Sequence, residues 1–192
     1  KIPAQGGANK EMRAIVPLRA LQELGRICLS IGEDNNVAKI IIGNSQMAVS
    51  FPAVEFVTRL IDGQYPDYQA IVPTKFGTQA TVSRTEFAGS LKAAGLFSKA
   101  GVYDVAVEID VEKNTMTIAG LNSQTGEHTS IIDAVVQGQT VKIAFNWKYL
   151  LDGLNALKSE KIILKATDSG SPTLLTEDKG DDYFYIVMPI KE

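Results

Sequence analysis

The side chains able to do acid–base, nucleophilic or metal chemistry are few in this sequence. It holds one histidine, His128, and one cysteine, Cys28. Any Ser/His/Asp or Cys/His arrangement would have to run through that histidine. It stands in the stretch GEHTSIIDA, where a strand begins and a surface histidine is expected. One cysteine and one histidine cannot furnish a Cys/His zinc site. Cys28 falls on the apolar side of a helical pattern and is expected to act as a small core hydrophobe. Glu177, Asp178, Asp181 and Asp182 gather around Gly180, but without the ligand spacing of a calcium loop, so a solvated hairpin tip is expected. No GxxxxGK[ST] or GxGxxG phosphate cradle occurs. The expectation is a non-catalytic chain with no cofactor and no metal. A hydrolase built on Asp181 and Asp182 is the weakest alternative, and calorimetry showing no metal binding would end it.

The elements that would carry a binding function are clearer. A strand running into an amphipathic helix occurs three times: MRAIVPLRALQELGRICLS from Met12, ATVSRTEFAGSLKAAGLFS from Ala80 and TVKIAFNWKYLLDGLNALKS from Thr140. The period is roughly 60 to 70 residues, the size of a half-domain. Each helix has a start signal. Pro17 opens the first, where a missing N–H costs little. Ser83 with Glu86 reads as a capping box, and Asn146 as an N-cap. Leu18, Leu21, Leu24 and Cys28 form one apolar stripe, and Leu150, Leu151, Leu154 and Leu157 another; each is expected to press on a sheet. Short strands follow every helix. Gly43-Asn44 marks a turn, and Val105, Val107 and Ile109 alternate as one buried face. The unit reads β-α-β-β-β three times, an α+β architecture with helices on one face of antiparallel sheets.

The segment from Asp62 to Thr78, with Gly63, Pro66, Pro73 and Gly77, reads as a linker. It divides the chain into residues 1–75 and 76–192. Units two and three pair into one domain. Unit one stands alone and buries too little surface to be comfortable.

Composition bounds the rest. The 192 residues are 45% hydrophobic and 21% charged, with a formal net charge of −3. No apolar run approaches the ~20 residues of a membrane span, and no leader is read before the fold. The first residue is Lys1 rather than Met, which reads as a cut or truncation point. A lone thiol fits a reducing cytoplasm. A mildly acidic chain argues against a simple polycationic nucleic-acid binder. Even so, Arg19, Gln22 and Arg26 share one helix face. Lys92 and Lys148 sit on the other two helices. If the three helices line one surface, these side chains form a diffuse positive strip suited to phosphates.

Three segments, VTRLIDGQYPDY, IAFNWKYLLDGLNAL and YFYIVMPI, resemble the bacterial DNA polymerase III beta subunit, the replicative sliding clamp. The resemblance runs from about Met12 to the end and covers the last three of the family's six β-α-β-β-β units. It implies a DNA-clamp fold and a processivity factor that tethers the polymerase to duplex DNA. The family forms a ring-shaped homodimer with helices lining the hole. DNA polymerase III, the clamp loader and other proteins dock by a short motif rich in Gln, Leu and Phe. Positions matching the family's docking pocket are Pro66, Ile71, Val102, Asn146, Tyr149, Pro172, Ile186, Val187, Met188, Pro189, Ile190 and Lys191. Arg19, Gln22, Arg26, Lys92 and Lys148 take the DNA-facing role. Leu96 and Phe97 match the apolar pair offered to a neighbouring subunit. Ala70 replaces a basic residue common in the family, and a Gly- and Arg-containing segment of the pocket is not matched, so weakened docking is expected. The alternative is a partner-binding module that never encloses DNA. A further expectation is that two copies pair through residues 10 to 60.

Overall fold

The computed structural model describes residues 13–31, 37–179 and 183–191. The chain divides into two compact units, Lys1–Asp67 and Tyr68–Glu192. The division falls inside the segment from Asp62 to Thr78.

In the first unit, helix α1 (Leu18–Ile31) is followed by strands β1 (Lys39–Ile42), β2 (Gln46–Ser50) and β3 (Glu55–Arg59). The strands form an antiparallel sheet in the order β1-β2-β3. Gly43 N–H donates to Gln46 O at 2.8 Å and closes the first hairpin at the expected turn. Among the described residues, the strand expected before α1 amounts to one bridge, in which Ile61 N–H donates to Ile15 O at 2.9 Å. Met47 and Val49 are buried, but α1 has no buried residue. Leu18 is 69% exposed, Leu21 49% and Leu29 87%. The stripe that should press on a sheet is therefore only partly covered, and only Leu24 of its members is half-buried. Cys28, read as a core hydrophobe, is exposed. The correction has a physical cause: periodicity supplies an apolar stripe, but burial needs packed neighbours, and among the described residues none buries a side chain of α1.

The second unit opens with a short helix α2 (Tyr68–Ile71) inside the segment read as linker. It continues through β4 (Thr78–Ser83), α3 (Arg84–Gly95), β5 (Asp104–Asp110), β6 (Thr115–Asn122) and β7 (Gly126–Gly138). The second repeat follows as β8 (Val141–Asn146), α4 (Trp147–Ala156), β9 (Lys161–Ala166), β10 (Thr173–Glu177) and β11 (Phe184–Val187). The eight strands make one sheet in the order β11-β10-β9-β4-β7-β6-β5-β8. Each repeat lends its first strand to the other: β4 ladders with β9, and β8 with β5. The far ends also approach, because Ile190 N–H donates to Ala144 O at 2.8 Å. This is the same bond as Ile61 to Ile15, forty-six residues apart in each case (15 to 61, 144 to 190).

Both helices pack on the sheet and on each other. Phe87, Leu91 and Ala94 of α3 and Leu150 and Leu154 of α4 meet Val105, Val107, Ile109, Met116, Ile118 and Phe145 in one core. The alternation read in β5 holds, with Val105, Val107 and Ile109 all buried. Ser83 Oγ accepts the Glu86 N–H at 3.4 Å, and Asn146 Oδ1 accepts the Lys148 N–H at 3.0 Å, so both cap residues act as expected.

Candidate docking site

The site is built on the junction of β8 and α4. Asn146 caps the helix with Oδ1, and its Nδ2 donates to Val102 O at 3.3 Å. Trp147 N–H donates to Tyr103 O at 3.0 Å. Two bonds thus tie the strand–helix junction to the loop before β5. That loop is tightly wound. Val102 and Tyr103 N–H both donate to Lys99 O, at 3.2 and 2.9 Å, and Lys99 N–H donates to Asp104 Oδ1 at 3.1 Å. Tyr103 sits at φ 58°, in the sparsely populated left-handed region. Lys148 Nζ lies 3.4 Å from the Tyr103 ring centroid, a cation–π contact that covers the ring. Val102 (45% exposed) and Tyr149 (57% exposed) stand bare beside this junction.

The C-terminal tail approaches through β11, which contacts α4. Its side chains alternate: Val187 is buried, Met188 is 54% exposed, and Pro189 is buried. Ile186 and Ile190 are half-buried, and Lys191 is exposed. Val187 and Pro189 therefore belong to the core and can only back a pocket, whereas Met188 can line one. Thr173 pairs with Val187, so the register carries Pro172 opposite Met188. Tyr185 lies over Gly153, where an added Cβ would sit 2.6 Å from its ring. Burial pushes the Tyr185 phenol above its ordinary pKa, with the nearby Asp152, Tyr183 and Tyr149 adding to the effect. Phe184 is tilted against Tyr68 of α2 at 6.1 Å between centroids. Tyr68, Ile71, Tyr183 and Phe184 are all exposed. The second unit thus presents Tyr149, Met188, Tyr183 and Phe184, with Tyr68 and Ile71 of α2, as exposed apolar and aromatic side chains. Tyr68, Tyr103, Tyr183 and Phe184 were not among the expected residues. For Tyr183 and Phe184 the signal was present as the aromatic density of DYFYIVMPI; Tyr68 and Tyr103 stand outside that segment. Pro66 is exposed and belongs to the first unit.

Ahead of Pro172, the Asp168 carboxylate accepts from Gly170 N–H (2.8 Å), Ser171 N–H (2.8 Å) and Ser171 Oγ (2.9 Å). The bond from Gly170 and then that from Ser171 Oγ hold its pKa below 3.8. A lowered folded value means the carboxylate steadies this turn above its unfolded pKa. That contribution is lost as pH falls through the folded value. Carboxyl NMR should therefore give an Asp168 midpoint below 3.8, with the Gly170 amide moving at the same midpoint.

The remaining expected residues are placed as follows. Arg19, Gln22 and Arg26 are exposed on α1, and Arg26 pairs with Glu23 at 3.0 Å. Lys92 is exposed near the end of α3, while Lys148 is held over Tyr103. Leu96 is 77% exposed. Phe97 is half-buried and stacks on His128 at 5.9 Å and 12°; His128 Nε2 is 2.8 Å from Ser130 Oγ. Glu177 Oε1 accepts the N–H groups of Lys158 and Ser159 at 2.6 and 3.2 Å, a structural role at the end of α4. Asp181 and Asp182 lie outside the described residues. Among the described residues, no group of three or more His, Cys, Asp or Glu is placed to hold a metal. Nor is any helix there long and apolar enough to cross a membrane. Among the described residues, a cleft of ≈ 920 Å³ lies in the first unit between Ile15, Gly43 and Tyr65. A second, ≈ 540 Å³, lies between β8, Gly170 and the end of the tail at Lys191.

Paired β-α-β-β-β repeats with exchanged first strands define a DNA-clamp fold, and solved clamps share it. The DNA polymerase III beta subunit of Thermotoga maritima superposes with a TM-score of 0.79 at 28% identity, over 91% of this chain and 47% of that one. The beta chain of Streptococcus pneumoniae gives 0.83 at 27%, over 96% and 49%. In sequence, the beta sliding clamp of Streptococcus pneumoniae is 28% identical over 185 residues, 95% of this chain and 48% of the relative. That of Synechococcus elongatus is 28% identical over 181 residues, 94% and 48%. The chain spans about half the length of the curated relatives it matches. Residues 69–191 match the family model for the C-terminal domain of the DNA polymerase III beta subunit, and residues 1–67 match that for its central domain. The chain belongs to the DNA polymerase III beta subunit family.

Proposed function

We propose that this chain serves as part of a processivity clamp, and that its own contribution is a docking surface for replication and repair proteins. The observation that carries the reading is the bare Val102 and Tyr149 at a capped strand–helix junction, together with the exposed Met188 of the tail. A polarizable methionine adapts to varied apolar ligands, and Tyr149 adds a ring with a hydroxyl at the rim. In this reading Ile71, Pro172, Ile186, Ile190 and Lys191 complete the docking surface. An amphipathic peptide rich in Gln, Leu and Phe fits these features. DNA polymerase III and a clamp loader are the partners the family membership supports.

The DNA role rests on the exposed Arg19, Gln22, Arg26 and Lys92. Such contacts are phosphate-directed, independent of sequence and sensitive to salt. Encirclement by a homodimeric ring, with Leu96 as an exposed apolar contact to a neighbouring subunit, belongs to the same reading. The work is tethering rather than catalysis.

The test is an NMR titration of the labelled chain with a Gln-Leu-Phe peptide. Shifts are expected at Val102, Tyr149, the neighbours of Pro172 and Met188. Tyr149→Ala should weaken binding at least about tenfold, as loss of a central aromatic anchor does. The melting temperature should hardly change, since the ring is 57% exposed. Absence of shifts at millimolar peptide would overturn the docking role.

A further inference from the structure

We propose that Lys148 is a positioning residue of the docking site: its ammonium, held over the ring of Tyr103, fixes the loop that presents Val102 to a docked peptide. The proposal rests on the docking role stated above and concerns how the site keeps its shape.

The loop runs from Leu96, after α3, to Tyr103, before β5. Three consecutive residues at the β8–α4 junction hold it. Trp147 holds the beginning: its ring lies over Gly95, with room there for no Cβ, and its Nε1 donates to Ser98 Oγ at 3.2 Å. Ser98 Oγ in turn donates to Gly95 O at 2.7 Å. The end of the loop is held through its carbonyls. Val102 O accepts from Asn146 Nδ2 at 3.3 Å, and Tyr103 O accepts from the Trp147 N–H at 3.0 Å. Lys148 adds the contact with a side chain. Its Nζ is 3.4 Å from the Tyr103 ring centroid and 5.8 Å from that of Trp147.

The backbone bonds fix the peptide groups of Val102 and Tyr103, but they leave the Tyr103 ring to be placed. Tyr103 sits at φ 58°. A bulky side chain keeps such a backbone only where its surroundings enforce it. Lys148 supplies that enforcement on the ring, since a cation is drawn to the negative face of an aromatic system. Both rings near the ammonium are half-buried, and partial removal from water strengthens the attraction. Val102 immediately precedes Tyr103, so a ring held in place also holds the exposed Val102 where a ligand would meet it. Lys148 and Tyr149 are chain neighbours in the first turn of α4. One helix start therefore carries both the pin of the loop and the aromatic side chain of the site.

Lys148→Met tests this, because it keeps an unbranched apolar stem and a similar helix propensity while removing the charge. Titration of the full chain with the Gln-Leu-Phe peptide should show binding weakened about fivefold, the worth of one such contact. Lys148→Arg keeps a cation on the ring and should bind within about twofold of the unsubstituted chain. In a Tyr103→Leu background, where no ring face remains, Lys148→Met should add no further loss. In the free chain, the ring current of Tyr103 should move the Lys148 Cε protons upfield, and Tyr103→Leu should remove most of that shift. A Lys148→Met loss that persists in full alongside Tyr103→Leu would mean that the ammonium meets the peptide directly, and it overturns the proposal. Binding that Lys148→Met leaves unchanged overturns it as well, while the docking role stands. Absence of binding by the unsubstituted chain would instead overturn the docking role, and this proposal with it.

Discussion

Gly120→Val should cost the second unit about 3 kcal/mol or more and lower its melting temperature by roughly 10–20 °C. Gly120 is a buried residue of β6, and the end of α3 passes directly over it. A Cβ there would overlap the carbonyl oxygen of Ala94, and would lie 2.9 Å from its carbonyl carbon and 3.3 Å from its Cα. These are helix backbone atoms, so no rotamer change relieves the contact. The end of α3 would have to lift. That end carries Gly95 beneath Trp147 and, just beyond, Phe97 on His128. The same helix offers the control. Gly89 is exposed in α3, and a Cβ there meets nothing within 4 Å. Gly89→Ala should stabilise by about 0.5–1 kcal/mol, because alanine gives up less backbone entropy in a helix. Differential scanning calorimetry of both variants reads the opposite signs. An unchanged melting temperature in Gly120→Val would refute the close approach of α3 to β6.

Phe145→Ala should cost about 3–5 kcal/mol, the range for emptying a buried aromatic site. Phe145 is fully buried in β8 and pairs with Val105. Its chain neighbours are Ala144, which receives the tail through Ile190, and Asn146, which caps α4 and holds Val102. The total stability of a domain is only about 5–15 kcal/mol, so a loss of this size is a large fraction of it. Urea unfolding followed by Trp147 fluorescence should show an earlier midpoint. A midpoint shift worth less than about 1 kcal/mol would mean the surroundings close over the space.

Much of this fold was legible from local signals. The strand–helix repeats, the caps at Ser83 and Asn146, the turn at Gly43 and the alternation in β5 each follow from chemistry within a few residues. What could not be read is set by distant contacts. The α1 stripe has the right periodicity for burial, yet burial depends on distant chain packing against it, and Leu21 and Cys28 are exposed. In the tail, alternation alone marks two faces without saying which one is inward. Only the pairing of Thr173 with Val187 puts Val187 inside and Met188 outside. Lys148 looked like a free basic residue; its contact with Tyr103 depends on a left-handed backbone that the sequence around Tyr103 does not announce. The helix over Gly120 left no sequence signal, since glycine in a strand has many causes.

The 13-residue strand β7 has a mechanical consequence. Residues Gly126–Asp133 are bonded to β6, and residues Ala134–Gly138 to β4. One continuous strand therefore splices the two halves of the sheet. A force pulling those halves apart along β7 loads both ladders in shear, where several hydrogen bonds must fail together. The second unit should respond to tension as a single stiff plate and pass strain on to its boundaries instead of opening along its midline.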